Sequence, residues 1–191
     1  MREGIEASLR TAQQVLEAYL ADPRNLDDAE RIAQEIVRCL REGHKIMIAG
    51  NGGSMADALH FAEEWTGRFR KERKPYPVMA LGESTHLTCV ANDYGFEHVF
   101  SRMVEAFGRP GDLLILLSTS GNSHNLVAAA TKARAQNVKV IGFLGRGGGN
   151  LLADCDLCLM APGETSDRIQ EIHMLMLHIL IEVAERELGH R

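Results

Sequence analysis

From Lys45 onward the chain alternates short apolar runs with longer stretches of helical periodicity, and this rhythm restricts the fold more than any other feature. The runs KIMIA, PVMAL, DLLILLS, VKVIGF and LCLM each have the length of a buried strand. Between them lie segments of helical character at 54–69, 96–107, 123–137 and 166–188. Strands buried on both faces and alternating with helices predict an α/β fold, with a mainly parallel sheet covered by helices on both sides.

The first forty residues read differently. Ile5, Leu9, Ala12, Leu16 and Tyr19 recur at helical spacing until Asp22-Pro23 interrupts them. Leu26, Ala29, Ile32, Ala33, Ile36, Val37 and Leu40 restore the pattern until Gly43 stops it. No linker composition follows, so residues 1–191 are expected to form a single domain: a helical hairpin over 1–43 and an α/β core over 44–191. At 191 residues the chain is long enough for one sizeable core.

Charge and cysteine usage exclude several classes. A formal net charge of -5 gives no basic face for nucleic acid, so an anionic ligand must be held by local geometry. No stretch approaches the roughly 20 apolar residues that cross a bilayer, and MREGIEASLR contains no signal-peptide core. A cytoplasmic protein with reduced cysteines is expected. Cys155 and Cys158 form a CxxC without a second pair, inside DCDLCLM, which reads as a strand. They are expected to be two small buried residues on opposite faces.

The first functional signal is an internal echo. GNGGS at 50–54 and STSGNS at 118–123 each follow a buried strand and open a helix, which puts both at the carboxyl edge of the sheet, where open parallel sheets bind ligands. Glycine lets a backbone approach an oxyanion, the helix N-terminus offers free N–H groups, and Ser or Thr hydroxyls donate without adding charge. One such loop is an ordinary capped turn. Two in corresponding positions read as a phosphate cradle. Neither is a P-loop or a dinucleotide fingerprint, so no nucleotide cofactor is expected. The glycine run at 147–149 lacks hydroxyls and reads as a flexible turn.

The second signal is a set of polar residues on two helices. His60 and Glu64 are four apart and share a face about two turns beyond Ser54. Gln170 and His178, in SDRIQEIHMLMLHILIE, are eight apart, within roughly 80° of each other and about 12 Å apart along the axis. Both sit in an apolar run and are expected to be largely buried, where a polar group must be satisfied or used. Ketose–aldose isomerisation needs a base over the carbon and an acid at the oxygens, which a carboxylate and an imidazole supply. His, Glu, Gln and His are also a possible N/O ligand set for zinc or another divalent ion. Trp65 should point to a different face from Glu64 and reads as packing, at a subunit contact, and His86 carries no role.

GNGGS, HFAEEWTGRF, CVANDYGFEHVFSR, STSGNS and DRIQEIHMLMLHILIE stand in an order and spacing that resemble the bacterial phosphoheptose isomerases, members of the SIS (sugar isomerase) domain family. The resemblance covers essentially the whole chain. It implies a three-layer SIS fold with a five-stranded parallel sheet and an N-terminal helical pair, and a homotetramer with active sites between subunits. It implies conversion of sedoheptulose 7-phosphate into D-glycero-D-manno-heptose 7-phosphate, for the heptose of lipopolysaccharide core or other surface glycans.

Residue by residue, it implies that Asn51, Gly52, Gly53 and Ser54 contact the sugar phosphate and that Ser118, Thr119, Ser120 and Ser123 grip the phosphate. Asn92 and Asp93 would hold sugar hydroxyls, Gln170 would orient the substrate and Asp167 would support the site. Glu64 would be the base and His178 the acid, with zinc on His60, Glu64, Gln170 and His178. SIS domains also include non-catalytic sugar-phosphate sensors, and a relative that binds the replication initiator. Such proteins need the loops but not the acid–base pair, so the presence of Glu64, Gln170 and His178 favours an enzyme.

Overall fold

The computed structural model describes residues 1–190. Asp22 starts the second helix as the rules of capping predict: its carboxylate accepts from the Arg24 N–H at 3.1 Å and Pro23 takes the first helical position. It thereby separates α1 (Arg2–Ala21) from α2 (Pro23–Arg41). α2 buries Ile32, Ala33, Ile36, Val37 and Leu40 and ends at Gly43, whose φ of 81° is the left-handed conformation glycine adopts freely. α1 is nearly free of the body. Tyr19 is its one buried residue, and Ile5 and Leu9 are 63% and 66% exposed.

The core follows as β1 (Ile46–Gly50), α3 (Gly53–Thr66), β2 (Val78–Ala80), α4 (Ser84–Tyr94), α5 (Ser101–Phe107), β3 (Leu113–Ser118), α6 (His124–Ala135), β4 (Lys139–Gly145), β5 (Leu157–Ala161) and α7 (Ser166–Glu187). The five strands pair entirely in parallel in the order β2-β1-β3-β4-β5, giving the three-layer α/β sandwich anticipated from the sequence. Each sheet face has its own core. One packs α2, α3 and α7 against Ile46, Ile48, Ile115, Leu117 and Phe143. The other packs α4, α5 and α6 against Met47, Ala49, Leu114, Leu116 and Val140.

Four expectations need correction. The segment 96–107 is not one helix but a short 3-10 turn, Phe96–His98, followed by α5. There the Ser101 hydroxyl donates to the His98 carbonyl at 3.3 Å, a local bond that competes with a continuous ladder. Cys155 is not in the strand with Cys158. It closes a 3-10 turn, Gly149–Asp154, with its thiol on the Leu151 carbonyl at 3.2 Å. Instead of sharing a strand, the two thiols are half-buried, with Cys155 lying over the bare Cα of Gly142, the sheet neighbour of Cys158.

Gln170 and His178 are only half-buried, and the histidine that α7 does bury completely is His173. His173 and His178 are five apart, about 140° around the helix, so only one of them can face the sheet. Trp65 is fully buried within this chain's own core, edge-on to Phe61 and Tyr76, and so is no surface for another subunit.

Candidate active site

Strand order changes direction at β1, with β2 on one side and β3 on the other. In open parallel sheets the crevice for a ligand opens at such a switch point, beyond the carboxyl ends of the strands. Here it is a cavity of about 220 Å3 lined by Asn51 and Ser54 after β1, by Ser118, Thr119, Ser120 and Ser123 after β3, and by Ser166 and Gln170 on α7.

Close packing shapes this cradle. Gly121 (φ 66°) lies so tightly on the turn after β4 that an added Cβ would come within 1.8 Å of the Gly148 carbonyl oxygen. The turn at 147–149 is built of three successive left-handed glycines and returns N–H groups to the loop, Leu151 to the Gly121 carbonyl at 2.9 Å and Asn150 to Asn122 Oδ1 at 3.1 Å. Beneath it Asn51 and the buried Asn125 exchange amide hydrogen bonds at 3.0 and 2.8 Å, tying the two loops together. Ser118 Oγ accepts from the Gly121 N–H at 3.0 Å, and Ser120 Oγ from the Asn122 N–H at 3.2 Å. Each hydroxyl keeps its own O–H to donate. Ser123 caps α6 without using its side chain, so its hydroxyl is free as well. With the positive end of α6 behind them, these groups form an uncharged anion cradle.

Three contributors carry no signal in the sequence motifs. Ser166 Oγ meets Thr119 Oγ1 at 3.2 Å, and Arg146 reaches Ser166 Oγ at 3.3 Å, which brings a cation to the rim. Arg146 sits at φ 47°, in the left-handed region, just after β4 at the same sheet edge as the two loops. Asn125 is the third. All three follow the strand–turn–helix logic that marked GNGGS and STSGNS, but without glycine or hydroxyl clustering to draw attention.

A second group lies farther along α3 and α7. One ligand atom each of His60, Glu64 and His178 falls within 4.8 Å of the others. His60 Nε2 is 3.2 Å from Glu64 Oε1, and the His60 and His178 rings meet edge-on at 5.0 Å. Phe69 stacks on His178 at 5.8 Å. Burial, then the neighbouring His60, hold the His178 imidazole below its ordinary pKa, against the pull of Glu64. Two imidazoles and a carboxylate within mutual reach suit a borderline divalent cation such as zinc. Gln170 is engaged elsewhere: its amide donates to Ser54 Oγ at 3.2 Å and lies against Gly53, so it belongs to the cradle.

The remaining sequence candidates do not line the cavity and are not in the histidine–carboxylate group. Asn92 and Asp93 lie exposed on the last turn of α4, bonded to each other at 2.8 Å. Asp167 is exposed in the first turn of α7, its carboxyl held below the usual range by a bond from Thr165. Gly52, at φ 56°, makes the turn that opens α3.

An all-parallel α/β sandwich with a hydroxyl-lined cradle at its switch point, and a histidine–carboxylate group on the adjoining helices, has the chemistry suited to a small anionic ligand and to proton transfer. The SIS domain family model matches residues 9–145. A phosphoheptose isomerase from Fusobacterium nucleatum is 48% identical over 94% of this chain and 93% of its own. Among solved structures, a phosphoheptose isomerase from Neisseria gonorrhoeae superposes with a TM-score of 0.84 at 36% identity, covering 97% of this chain and 96% of that one. One from Francisella tularensis gives 0.89 at 33% identity, over 96% and 97%. The chain belongs to the SIS domain family and, within it, to the phosphoheptose isomerases.

Proposed function

We propose that the chain interconverts sedoheptulose 7-phosphate and D-glycero-D-manno-heptose 7-phosphate through an enediol. The observation that carries this reading is the juxtaposition of a phosphate cradle with a carboxylate–imidazole pair on the same two helices. His178 lies eight residues beyond Gln170 on α7, and Glu64 ten beyond Ser54 on α3. These separations of about 12 and 15 Å along the axes suit a long extended sugar phosphate better than a triose. The names of the relatives point to the same seven-carbon substrate.

In this reading Ser118, Thr119, Ser120 and Ser123 hold the phosphate while Asn51, Gly52, Gly53 and Ser54 position the chain, Gln170 orients it and Asp167 supports the helix end. The Glu64 carboxylate removes a proton from C1, and His178 donates its N–H proton to the O2 that gains charge. Breaking C1–H forms the C1=C2 bond of the enediol. His178 then takes back the O1 proton, which restores a carbonyl at C1 as Glu64 returns its proton to C2. With its pKa lowered, His178 is neutral at physiological pH and still carries one N–H to donate. Zinc would be held by His60, Glu64, Gln170 and His178 and would polarise the substrate carbonyl when bound, with Glu64 and His178 released from it to exchange protons.

Assembly completes the proposal. The chain acts as one domain, hairpin 1–43 with core 44–191, in a cytoplasmic homotetramer whose active sites lie between subunits. Supporting this, Ile5 and Leu9 stand uncovered on α1, and an apolar groove of about 780 Å3 runs between α2 and α7 past Ala33, Val37, Ile179 and Val183. Such exposed apolar surface favours burial against another copy. Asn92 and Asp93 would reach sugar hydroxyls in the assembled site. No helix among the described residues is long and apolar enough to cross a membrane. The reaction supplies heptose for lipopolysaccharide core or surface glycans.

The test is incubation with sedoheptulose 7-phosphate in D2O, with and without chelator, followed by NMR. An aldoheptose 7-phosphate with deuterium at C1 or C2 is expected, together with loss of signal on chelation and its recovery with zinc. Binding without product or exchange would replace this reading with a non-catalytic sugar-phosphate sensor or an initiator-binding protein.

A further inference from the structure

The segment between α3 and β2 contains a buried charge that the chemistry above leaves without a task. Arg73 is 8% exposed, its side chain almost completely enclosed, and its Nε donates to Glu185 Oε1 of α7 at 2.8 Å. The two Nη groups turn back onto the end of α3: Nη2 donates to the Glu64 carbonyl at 2.6 Å, and Nη1 to the Trp65 and Gly67 carbonyls at 2.8 and 3.1 Å. The last carbonyls of a helix have no partner within it, and a cation at that end suits the helix dipole. Arg73 therefore caps the helix that carries the His60–Glu64 face, and does so at the backbone of Glu64 itself.

The other end of the clamp is equally placed. Glu185 lies two turns beyond His178 on the same helix. The loop that Arg73 anchors also presents Phe69 to the His178 ring, and a second, exposed link runs from Arg70 to Glu182 at 2.8 Å. Both members of the acid–base pair are thus referred to one buried guanidinium.

We propose that the Arg73–Glu185 pair is a positioning device that sets the separation of Glu64 and His178. It acts through main chain and helix rather than on substrate. This inference rests on the acid–base reading for its kinetic consequence, and on geometry alone for its structural one. A lysine cannot reproduce the planar fork that bonds one carboxylate and three carbonyls, so charge alone does not suffice.

The experiment compares wild type with Arg73→Lys and, as a control for lost packing, Val140→Ala in the other core. Kinetics, melting temperature and 15N spectra of the histidine rings are recorded for each. In folded Arg73→Lys, kcat falls by about 10- to 100-fold, as a small misplacement of catalytic groups demands, while KM changes by less than about 3-fold. The His60 and His178 ring signals move while those of His44 and His98 stay. Val140→Ala loses melting temperature and keeps kcat. If Arg73→Lys does not fold, Glu185→Gln, which leaves Arg73 a neutral acceptor, gives the same split.

Wild-type kcat and unshifted His60 and His178 signals in a folded clamp variant would overturn the proposal, as would equal loss of kcat in Val140→Ala. Should wild type itself fail to turn over the sugar phosphate, the functional reading falls, and the ring signals still decide whether the clamp sets the geometry.

Discussion

The cradle at the switch point and the histidine–carboxylate group on α3 and α7 are held by different means. The cradle is made of main chain, hydroxyls and glycines pressed into contact, each fixed within a few residues of a strand end. Ser118 and Ser120 accept bonds from Gly121 and Asn122, and Gly121 is locked under Gly148. The second group is made of side chains reaching from two helices, related only by how those helices pack. A site fixed by the fold loses affinity when one donor is removed. A site fixed by helix packing loses rate when its geometry shifts.

The most direct way to break this comparison is at Glu64. Glu64→Gln keeps size and polarity but cannot take a proton, and kcat is expected to fall by about 1,000-fold, within the range for loss of a general base. Binding of the sugar phosphate, measured by calorimetry, should be nearly unchanged. A variant that retains turnover removes Glu64 from the role of base.

The next effect concerns the part of α7 between the two sites. His173 is completely buried, its Nε2 3.3 Å from the Leu144 carbonyl and its Nδ1 without a partner. Burial pushes its pKa down from 6.5 to about 4. Between those values the unfolded chain binds a proton that the native protein refuses, so stability falls as pH falls through that window. The total is about 3 kcal/mol, since each tenfold loss of proton affinity costs about 1.4 kcal/mol. Thermal melts from pH 7 to pH 4 should show this slope, and His173→Leu should flatten it. Because His173 sits between Gln170 and His178, acid should disable cradle and catalytic pair together, and a slope unchanged in the variant would assign the acid sensitivity elsewhere.

The contrast between the two sites also explains what the sequence can reveal. Strand positions and the cradle are legible because both are local: an apolar run, then glycine and serine, specifies a strand end within one or two residues. His60 and Glu64 are legible because a spacing of four puts them on one face. His173 and His178 are not separable, since both stand in the same apolar run and only packing against Phe143 decides which is enclosed. Arg73, Phe69 and Arg146 lie in loops without periodicity. The Arg73–Glu185 bond spans 112 residues of chain, and nothing in KERKPY distinguishes the arginine that becomes buried. Asn92 and Asp93 lie exposed at the end of α4 and do not line the cradle, so nothing within one chain links their motif to the site.

The smallest effect sharpens the comparison from the cradle side. Ser120 Oγ is held by the Asn122 N–H and keeps one O–H for the ligand, so Ser120→Ala removes a single donor from a set of several. A hydrogen bond to a charged group contributes about 1.5 kcal/mol at the low end, which corresponds to a rise of about 10-fold in KM. The phosphate remains in its place and the Glu64–His178 geometry is untouched, so kcat should stay within about 3-fold of wild type. The mirror image of the Glu64 result would follow: binding lost and rate kept. If Ser120→Ala instead lowered kcat with KM unchanged, the cradle would be acting on the reacting carbons, and the division of labour between the two sites would have to be abandoned.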